Sequence, residues 1–146
     1  FSYCSKLVSV KLPESVITLE TSVFYQCSAL ESINLSSVKT IKTHVFNGCI
    51  SLKKIEIENL TTIENYAFNA CKSLEQVDIP PSLKQISEGV FNSCENLSTI
   101  DITNPDTIFV KYFCWHCPKL TNIIAPSSCV ERLIDAGVDK KNIKVK

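Results

Sequence analysis

The amino-acid sequence predicts an α/β repeat fold with a coil of 22 or 23 residues, and three observations predict it. Cysteine recurs at intervals of 22 or 23 residues, leucine follows each of these cysteines by three positions, and valine or isoleucine follows that leucine by three more. The cysteine column consists of Cys4, Cys27, Cys49, Cys71, Cys94 and Cys117. A period of this length with an L-x-x-L-x-L core is typical of a leucine-rich-repeat solenoid. We therefore expect a right-handed leucine-rich-repeat solenoid with one parallel β-sheet, short opposing extended segments and a short helical turn in each coil.

Length and composition suit one such solenoid. The chain has 146 residues, of which 45% are hydrophobic and 21% charged. We expect about six coils over residues 1–126 and a cap over residues 127–146. Because the chain opens on Phe1 in the middle of a repeat, we expect the solenoid to be truncated at its N-terminal end.

The charge balance argues against two classes of partner. The 15 basic side chains equal the 15 acidic ones, so no net field attracts nucleic acid or an anionic membrane. No apolar run reaches 18 residues, so we expect no membrane insertion by this chain.

The first part of each coil reads as a short strand. Val77 and Ile79 alternate with Gln76 and Asp78, as in a strand with one buried face. Equivalent strands one coil apart should pair in parallel, about 4.8 Å apart. Two further apolar columns should line the opposing segments, and Asp106 interrupts one of them.

The last part of each coil predicts the helical turn. Ala67, Phe68 and Cys71 have the spacing of one helix face, which indicates a short helix or 3₁₀ turn. A ladder of aromatic rings should run inside it, formed by Phe24, Phe46, Phe68 and Phe91. In the last coil Phe113 takes the small position and Cys114 the Phe position, an exchange that conserves core volume.

The cysteine column indicates buried free thiols. A free cysteine packs as a small hydrophobe, and one per coil would fill a constant slot in the core. Disulfides within the column remain the alternative. Cys114 and Cys129 lie outside the column, and their redox state is left open.

The residues after Pro126 predict the cap. Ser128 with Glu131 three residues later indicates a helix start, and Gly137 indicates its end. Residues 143–145 then read as a final short strand. The apolar face of the helix would consist of Val130, Leu133 and Ile134.

These patterns resemble a known family. The repeat small-Phe-x-x-Cys-x-x-Leu-x-x-Ile-x-Ile-Pro, and the ending over residues 123–131, are similar to the BspA-like leucine-rich repeat and its terminal cap. The resemblance implies a secreted or surface-exposed protein of the kind found in host-associated bacteria and parasitic protists. It also implies adhesion to host matrix proteins, host cells or other microbes. It supplies no catalytic motif, so we expect no enzyme and no cofactor.

The outward strand positions form the candidate partner-binding face. With Trp115 added from outside the sheet, the candidate residues are Lys11, Glu31, Asn34, Lys53, Lys54, Glu56, Glu75, Gln76, Asp78, Thr99, Asp101 and Trp115. Glu56, Asp78 and Asp101 should stack along the sheet. This stack is either a solvated face balanced by neighbouring lysines, an acidic strip for a basic partner, or a divalent-cation site. The cation site is disfavoured because rigid strands lack a chelating loop.

The segment Cys114-Trp115-His116-Cys117 contains a C-x-x-C motif. In isolation this motif suggests a thiol–disulfide pair or half of a zinc site. The repeat explains Cys117, and the exchange with phenylalanine explains Cys114, so a structural role is favoured. Trp115 takes an outward position, where it is either an exposed anchor or a residue that packs on the cap, with packing favoured.

Three sequons for N-glycosylation begin at Asn34, Asn59 and Asn96, and they matter only in a eukaryotic secretory route.

The expected function is a non-catalytic protein-recognition or adhesion module that binds host or microbial proteins through the sheet face. Its partners would be extracellular-matrix or cell-surface glycoproteins. The alternatives are a structural spacer without a ligand and an oxidoreductase built on Cys114 and Cys117.

Overall fold

A computed structural model describes residues 1–146 as a parallel-sheet solenoid of about six coils. The right-handed sense of the coil stays a prediction. Its one α-helix is α1 (Val130–Asp135). The strands are β1 (Ser9–Val10), β2 (Thr18–Leu19), β3 (Ser32–Ile33), β4 (Thr40–Ile41), β5 (Thr62–Ile63), β6 (Gln76–Ile79), β7 (Gln85–Ile86), β8 (Thr99–Ile102), β9 (Ile108–Phe109), β10 (Asn122–Ala125) and β11 (Ile143–Val145).

The sheet predicted from the repeat is present, in the predicted register. Strands β6, β8 and β10 pair in parallel and are joined by β11 at the end. Asp78 lies opposite Asp101, and Thr99 lies opposite both Gln76 and Asn122. Residues one coil apart therefore form columns on the sheet face, which we define as the outward side chains of these strands, of β1 and β3, and of residues 53–56.

This sheet is interrupted at the third coil, which is a departure from the single sheet predicted. Residues 53–56 form no backbone hydrogen bond with the coil on either side, so β1 and β3 pair separately from the strands after them. Ile55 and Ile57 remain buried, and the core is therefore continuous. The outward residues here are Lys53, Lys54 and Glu56, and lysine and glutamate have low strand propensity.

The opposing extended segments also pair in parallel. Strands β2, β4 and β5 form one set, and β7 and β9 another. In the fifth coil Asp106 is exposed, and Thr107 is buried instead. The Thr107 hydroxyl donates to the carbonyl oxygen of Asn104 at 2.9 Å, which satisfies it in the core. The column that Asp106 interrupts in the sequence is therefore filled one residue later.

The predicted helical turn is replaced by a run of tight turns. We call these segments the walls (residues 1–4, 21–27, 43–49, 65–71, 88–94 and 111–117). In the fourth wall Tyr66 and Ala70 have φ of 57° and 56°, which a right-handed helix does not allow. The N–H groups of Phe68 and Ala70 donate to carbonyl oxygens of the next wall at 2.9 and 2.8 Å. Hydrogen bonds between coils thus accompany the turn hydrogen bonds within the wall, such as that from the N–H of Cys71 to the carbonyl oxygen of Phe68 at 3.3 Å.

The core of the walls consists of the two predicted columns. The rings of Phe24, Phe46, Phe68 and Phe91 stack with centroids 5.1–5.9 Å apart. All eight cysteines are free, as predicted for the six of the column, and the two whose state was left open, Cys114 and Cys129, are free as well. The prediction of burial holds for Cys27, Cys49, Cys71 and Cys94. It is wrong for Cys4, which is exposed at one end of the stack, and Cys117 is only partly buried at the other.

The cap (residues 127–146) begins with a 3₁₀ turn at Ser127–Cys129 that continues into α1. The predicted helix cap at Ser128 is wrong, because its hydroxyl donates to the carbonyl oxygen of Pro105 at 3.1 Å. Gly137 ends the helix as predicted, with φ of 96°. A second 3₁₀ turn at Lys140–Asn142 leads into β11, which pairs with β10.

The chain contains no helix with both the length and the apolar character of a membrane span.

Candidate functional site

The sheet face carries two open grooves, one on each side of the interrupted third coil. Each has a volume of about 500 Å³. The first groove is lined by Ser9, Val10, Lys11, Ser32, Ile33, Asn34, Lys54 and Glu56. The second is lined by Lys53, Lys54, Ile55, Glu75, Gln76 and Asp78. Eight of the predicted face residues therefore border these two grooves, with Lys54 shared between them.

Most charges near the grooves are paired with one another. Lys53 Nζ lies 3.1 Å from Glu31 Oε2, and Lys54 Nζ lies 2.8 Å from Glu56 Oε1. The hydrogen bond from Lys54, with the attraction between the two charges, lowers the pKa of Glu56 and raises that of Lys54. All four side chains are more than half exposed, so solvent screens these pairs and their contribution to stability is small.

The predicted acidic column is only partly assembled. Asp78 and Asp101 are direct neighbours across β6 and β8. Gln76 donates to Asp78 Oδ1 at 2.9 Å, and Lys146 from the cap forms an ion pair with Asp101. Glu56 lies on the coil that leaves the ladder. The structure brings together no group of three or more His, Cys, Asp or Glu side chains that could hold a metal ion.

The side chains of the three sequon asparagines all form hydrogen bonds within the chain. Asn34 accepts from the N–H of Leu12 at 2.6 Å and donates to its carbonyl oxygen at 3.3 Å, which ties the first two coils together. Asn59 Nδ2 donates to the carbonyl oxygen of Ser36 at 2.9 Å. Asn96 Oδ1 accepts from Lys119 Nζ at 2.6 Å. Asn34, although it lies on the candidate face, thus also has a structural role.

The C-x-x-C thiols lie in an environment that opposes ionisation. Burial raises the pKa of Cys117 to about 11. Burial, with a smaller contribution from Cys117, also raises the pKa of Cys114 well above the ordinary thiol value. Thiol–disulfide exchange needs a thiolate, which these surroundings disfavour at neutral pH. The burial of both thiols therefore favours a structural role for Cys114 and Cys117 over a redox role.

Comparison with known proteins identifies the repeat. A profile of the BspA-type leucine-rich-repeat region matches residues 1–58 and 35–133 with six copies. The chain belongs to this family. No curated protein sequence matches the chain.

The BspA-type solenoid is similar to several solved structures. One is the leucine-rich-repeat protein TpLRR of T. pallidum, with 31% identity, a TM-score of 0.76, and coverage of 83% of this chain and 60% of that one. Another is a leucine-rich cell-surface protein of Faecalibacterium prausnitzii (23% identity, TM-score 0.64, 80% and 38% covered). A third is the pneumococcal vaccine antigen PcpA (21% identity, TM-score 0.64, 94% and 41% covered). The chain thus spans 60% of the length of TpLRR and less of the other two.

The walls of this BspA-type solenoid carry a feature that the sequence analysis missed. All four tyrosines, the one tryptophan and both histidines lie in the walls, and none lies on the sheet face. A diagonal row crosses four coils, with ring centroids 5.3–6.3 Å apart, through Tyr3, Tyr25, His44 and Tyr66. Tyr112, Trp115 and His116 form a second group in the last wall. The members of the diagonal row lie in three different columns of the repeat, so reading each column by itself would not have found it.

Proposed function

We propose that this chain is a non-catalytic protein-recognition module of a secreted or cell-surface protein and that it binds partner proteins through the sheet face. The observation that supports the proposal most directly is the register of the strands. It sets polar side chains in columns on one exposed side, and two grooves of about 500 Å³ lie on that side beside the unpaired residues 53–56. A flat parallel sheet offers such positions without disturbing the core behind it.

The similar proteins support an extracellular setting. One is described as a cell-surface protein and another as a vaccine antigen. We extend that setting to this chain and propose adhesion as its role. The partners would be extracellular-matrix or cell-surface glycoproteins of a host, or surface proteins of other microbes.

A structural spacer without a ligand is the second candidate, and one observation favours it. Lys53 pairs with Glu31, Lys54 with Glu56, and Lys146 with Asp101, so the sheet face satisfies many of its own charges. A partner would have to replace these pairs. Because the pairs are exposed, that replacement costs little.

Binding to an array of immobilised matrix and cell-surface proteins separates the two candidates. The recognition proposal predicts saturable binding of the chain to at least one protein of the array. Binding to none, by a chain whose circular dichroism shows that it is folded, would favour the spacer. A salt titration of any positive signal then shows whether charged residues contribute.

A further inference from the structure

The last wall borders a cleft that faces the cap. The cleft has a volume of about 270 Å³, and eight of its twelve lining residues are hydrophobic. Leu120 and Ile123 line its buried part. Tyr112 and Trp115 stand at its rim, each 54% exposed. An apolar interior with an exposed aromatic rim is the arrangement found where a single side chain of a partner contributes most of the binding energy.

The cleft exists because the ring stack stops one coil before the end. In the earlier walls, the ring at the Phe position stacks on the ring of the next wall, and this stack ends at Phe91. In the last wall Cys114 stands at the Phe position, while Phe113 is fully buried beside Phe109 at a centroid distance of 5.5 Å. The cap residues over this position are the small Ala136 and Gly137. The space that a further ring would fill is therefore left open.

The last wall also carries two backbone donors that find no acceptor in the chain. In the second to fifth walls, the N–H groups of the Phe position and of the residue two places later donate to the next wall at 2.7–3.1 Å. In the fifth wall, for example, Phe91 donates to the carbonyl oxygen of Phe113 and Ser93 to that of Trp115. The equivalent groups in the last wall are those of Cys114 and His116, and neither donates to any atom of the chain. Beside them, only the N–H of Tyr112 is paired with the cap, at 3.3 Å from the carbonyl oxygen of Ala136.

We propose that this cleft binds a peptide segment of a partner protein in the way that each wall receives the next. The segment would place an apolar, preferably aromatic, side chain in the cleft and offer the carbonyl oxygens on either side of that residue to Cys114 and His116. The internal template is Phe68, whose flanking carbonyls, those of Ala67 and Asn69, accept from the third wall at 2.8 and 2.9 Å. Backbone pairing of this kind supplies affinity, and the cleft supplies specificity.

The chemistry of the cleft favours a peptide over other ligands. Two acceptors separated by one residue are what a polypeptide backbone presents, and the N–H groups of Cys114 and His116 have the matching separation of one residue. The mostly apolar lining disfavours a charged head group. This second surface goes beyond the sheet face proposed above and shares no residue with the two grooves, so either proposal can fail alone.

The probe is a cyclised peptide with the sequence of residues 64–74 of this chain, carrying Cys71→Ser to prevent disulfide formation. Cyclisation reduces the entropy that a flexible peptide loses on binding. Trp115 is the only tryptophan of the protein, and the peptide has none, so indole fluorescence reports the cleft directly. We expect a saturable fluorescence change, together with shifted and exchange-protected amide signals for Cys114 and His116.

One variant of the peptide and one of the protein test whether an aromatic side chain occupies the cleft. The same peptide with Phe68→Ala should bind about tenfold more weakly or worse, because it lacks the ring. In the protein, Ala136→Leu fills the cleft and should weaken binding by a similar factor. Ser36→Leu adds the same kind of side chain at an exposed site elsewhere and should bind as the wild type does. The amide signals of β11 show that each variant retains the folded cap.

Three results would overturn the proposal. The first is absence of binding by the wild-type protein. The second is binding that leaves the amide signals of Cys114 and His116 unchanged or is as tight in Ala136→Leu. The third is sedimentation that shows end-to-end association of the chain, lost in Ala136→Leu, because the occupant would then be a second copy.

Discussion

At the scale of single residues, each cysteine of the column after Cys4 links its coil to the one before. The Sγ atoms of Cys49 and Cys71 lie 3.2 and 3.3 Å from the carbonyl oxygens of Phe24 and Phe46. The thiol thus fills space and adds a second hydrogen bond to a carbonyl oxygen that already accepts from a backbone N–H of its own wall. Burial raises the pKa of Cys49 to about 12, so the thiol stays neutral over the physiological range.

Replacing Cys71 with alanine should therefore destabilise the solenoid. Cys71→Ala leaves a cavity and removes the thiol hydrogen bond to the carbonyl oxygen of Phe46, and we expect a loss of about 1–2 kcal/mol in the free energy of unfolding. Urea unfolding measures it. Cys4→Ala, at an exposed cysteine of the same column, should stay within about 0.5 kcal/mol of the wild type. Equal effects at both positions would contradict the packing role.

The same burial predicts a stability loss at alkaline pH. An unfolded thiol ionises near 9.0, whereas the pKa of Cys49 is about 12 and that of Cys117 about 11 in the folded state. Since both folded values are raised, the stabilisation is fully present below pH 9 and is lost as the pH rises towards 12. Urea unfolding over this pH range should show the fall. Cys49→Val, which cannot ionise, should reduce the slope, and an unchanged slope would exclude Cys49 as a source.

At the scale of elements, the cap is joined to the turn of the fifth coil. Ser128 and Arg132 both donate to the carbonyl oxygen of Pro105, and Cys129 Sγ lies 3.7 Å from that of Asn104. The irregular sequence at Asn104 and Pro105 is therefore where the cap docks. These contacts orient α1, and through it β11, on the end of the sheet.

Removal of the Arg132 side chain should loosen the cap without unfolding the solenoid. For Arg132→Ala we expect amide hydrogen exchange in β11 to be about tenfold faster, because the last strand loses the anchor of its helix. Exchange in β6 should be unchanged. Glu131→Ala, at an exposed position on the same helix, is the matched control. Equal acceleration in β6 and β11 would instead mean that the cap and the coils open together.

Two glycines give a matched test of the turn geometry. Gly89 and Gly137 both have positive φ, 62° and 96°. A Cβ at Gly89 would lie 2.3 Å from the Tyr66 ring, whereas a Cβ at Gly137 meets nothing within 4 Å. Gly137→Ala should cost about 1 kcal/mol from backbone strain, and Gly89→Ala should cost more because the ring must also move. Thermal unfolding that ranks them in the opposite order would show that Tyr66 moves freely.

At the scale of the whole molecule, stacking explains what the sequence predicted and what it did not. Every coil meets an almost identical coil, so columns such as Phe24 and Phe46 could be read directly from the period. The turns of the walls could not, because the positive φ of residues such as Tyr66 and Ala70 accompanies hydrogen bonds to the next coil that the pattern of residue types does not show. The contact of Arg132 with Pro105 was equally hidden, since it joins positions 27 residues apart outside the repeat.

The period of the repeat also predicted part of the arrangement of the candidate face. Strand alternation placed Asp78 opposite Asp101. It did not reveal that Glu56 would leave the ladder or that Lys146 would reach Asp101 from the cap. The aromatic groups of the walls form because certain turn residues point outward. The helical spacing expected for the walls did not indicate which residues these are.

The most direct test of recognition through the sheet face compares binding by two charge-reversed proteins. One carries Glu56→Lys, Asp78→Lys and Asp101→Lys on the sheet face. The other carries Glu14→Lys, Glu95→Lys and Glu131→Lys at exposed sites off that face, with the same change in net charge. Affinity for a protein captured on the array is measured for both and for the wild type. Recognition by the sheet face predicts about tenfold or greater loss for the first variant and little for the second. Equal affinities of the two variants would contradict it.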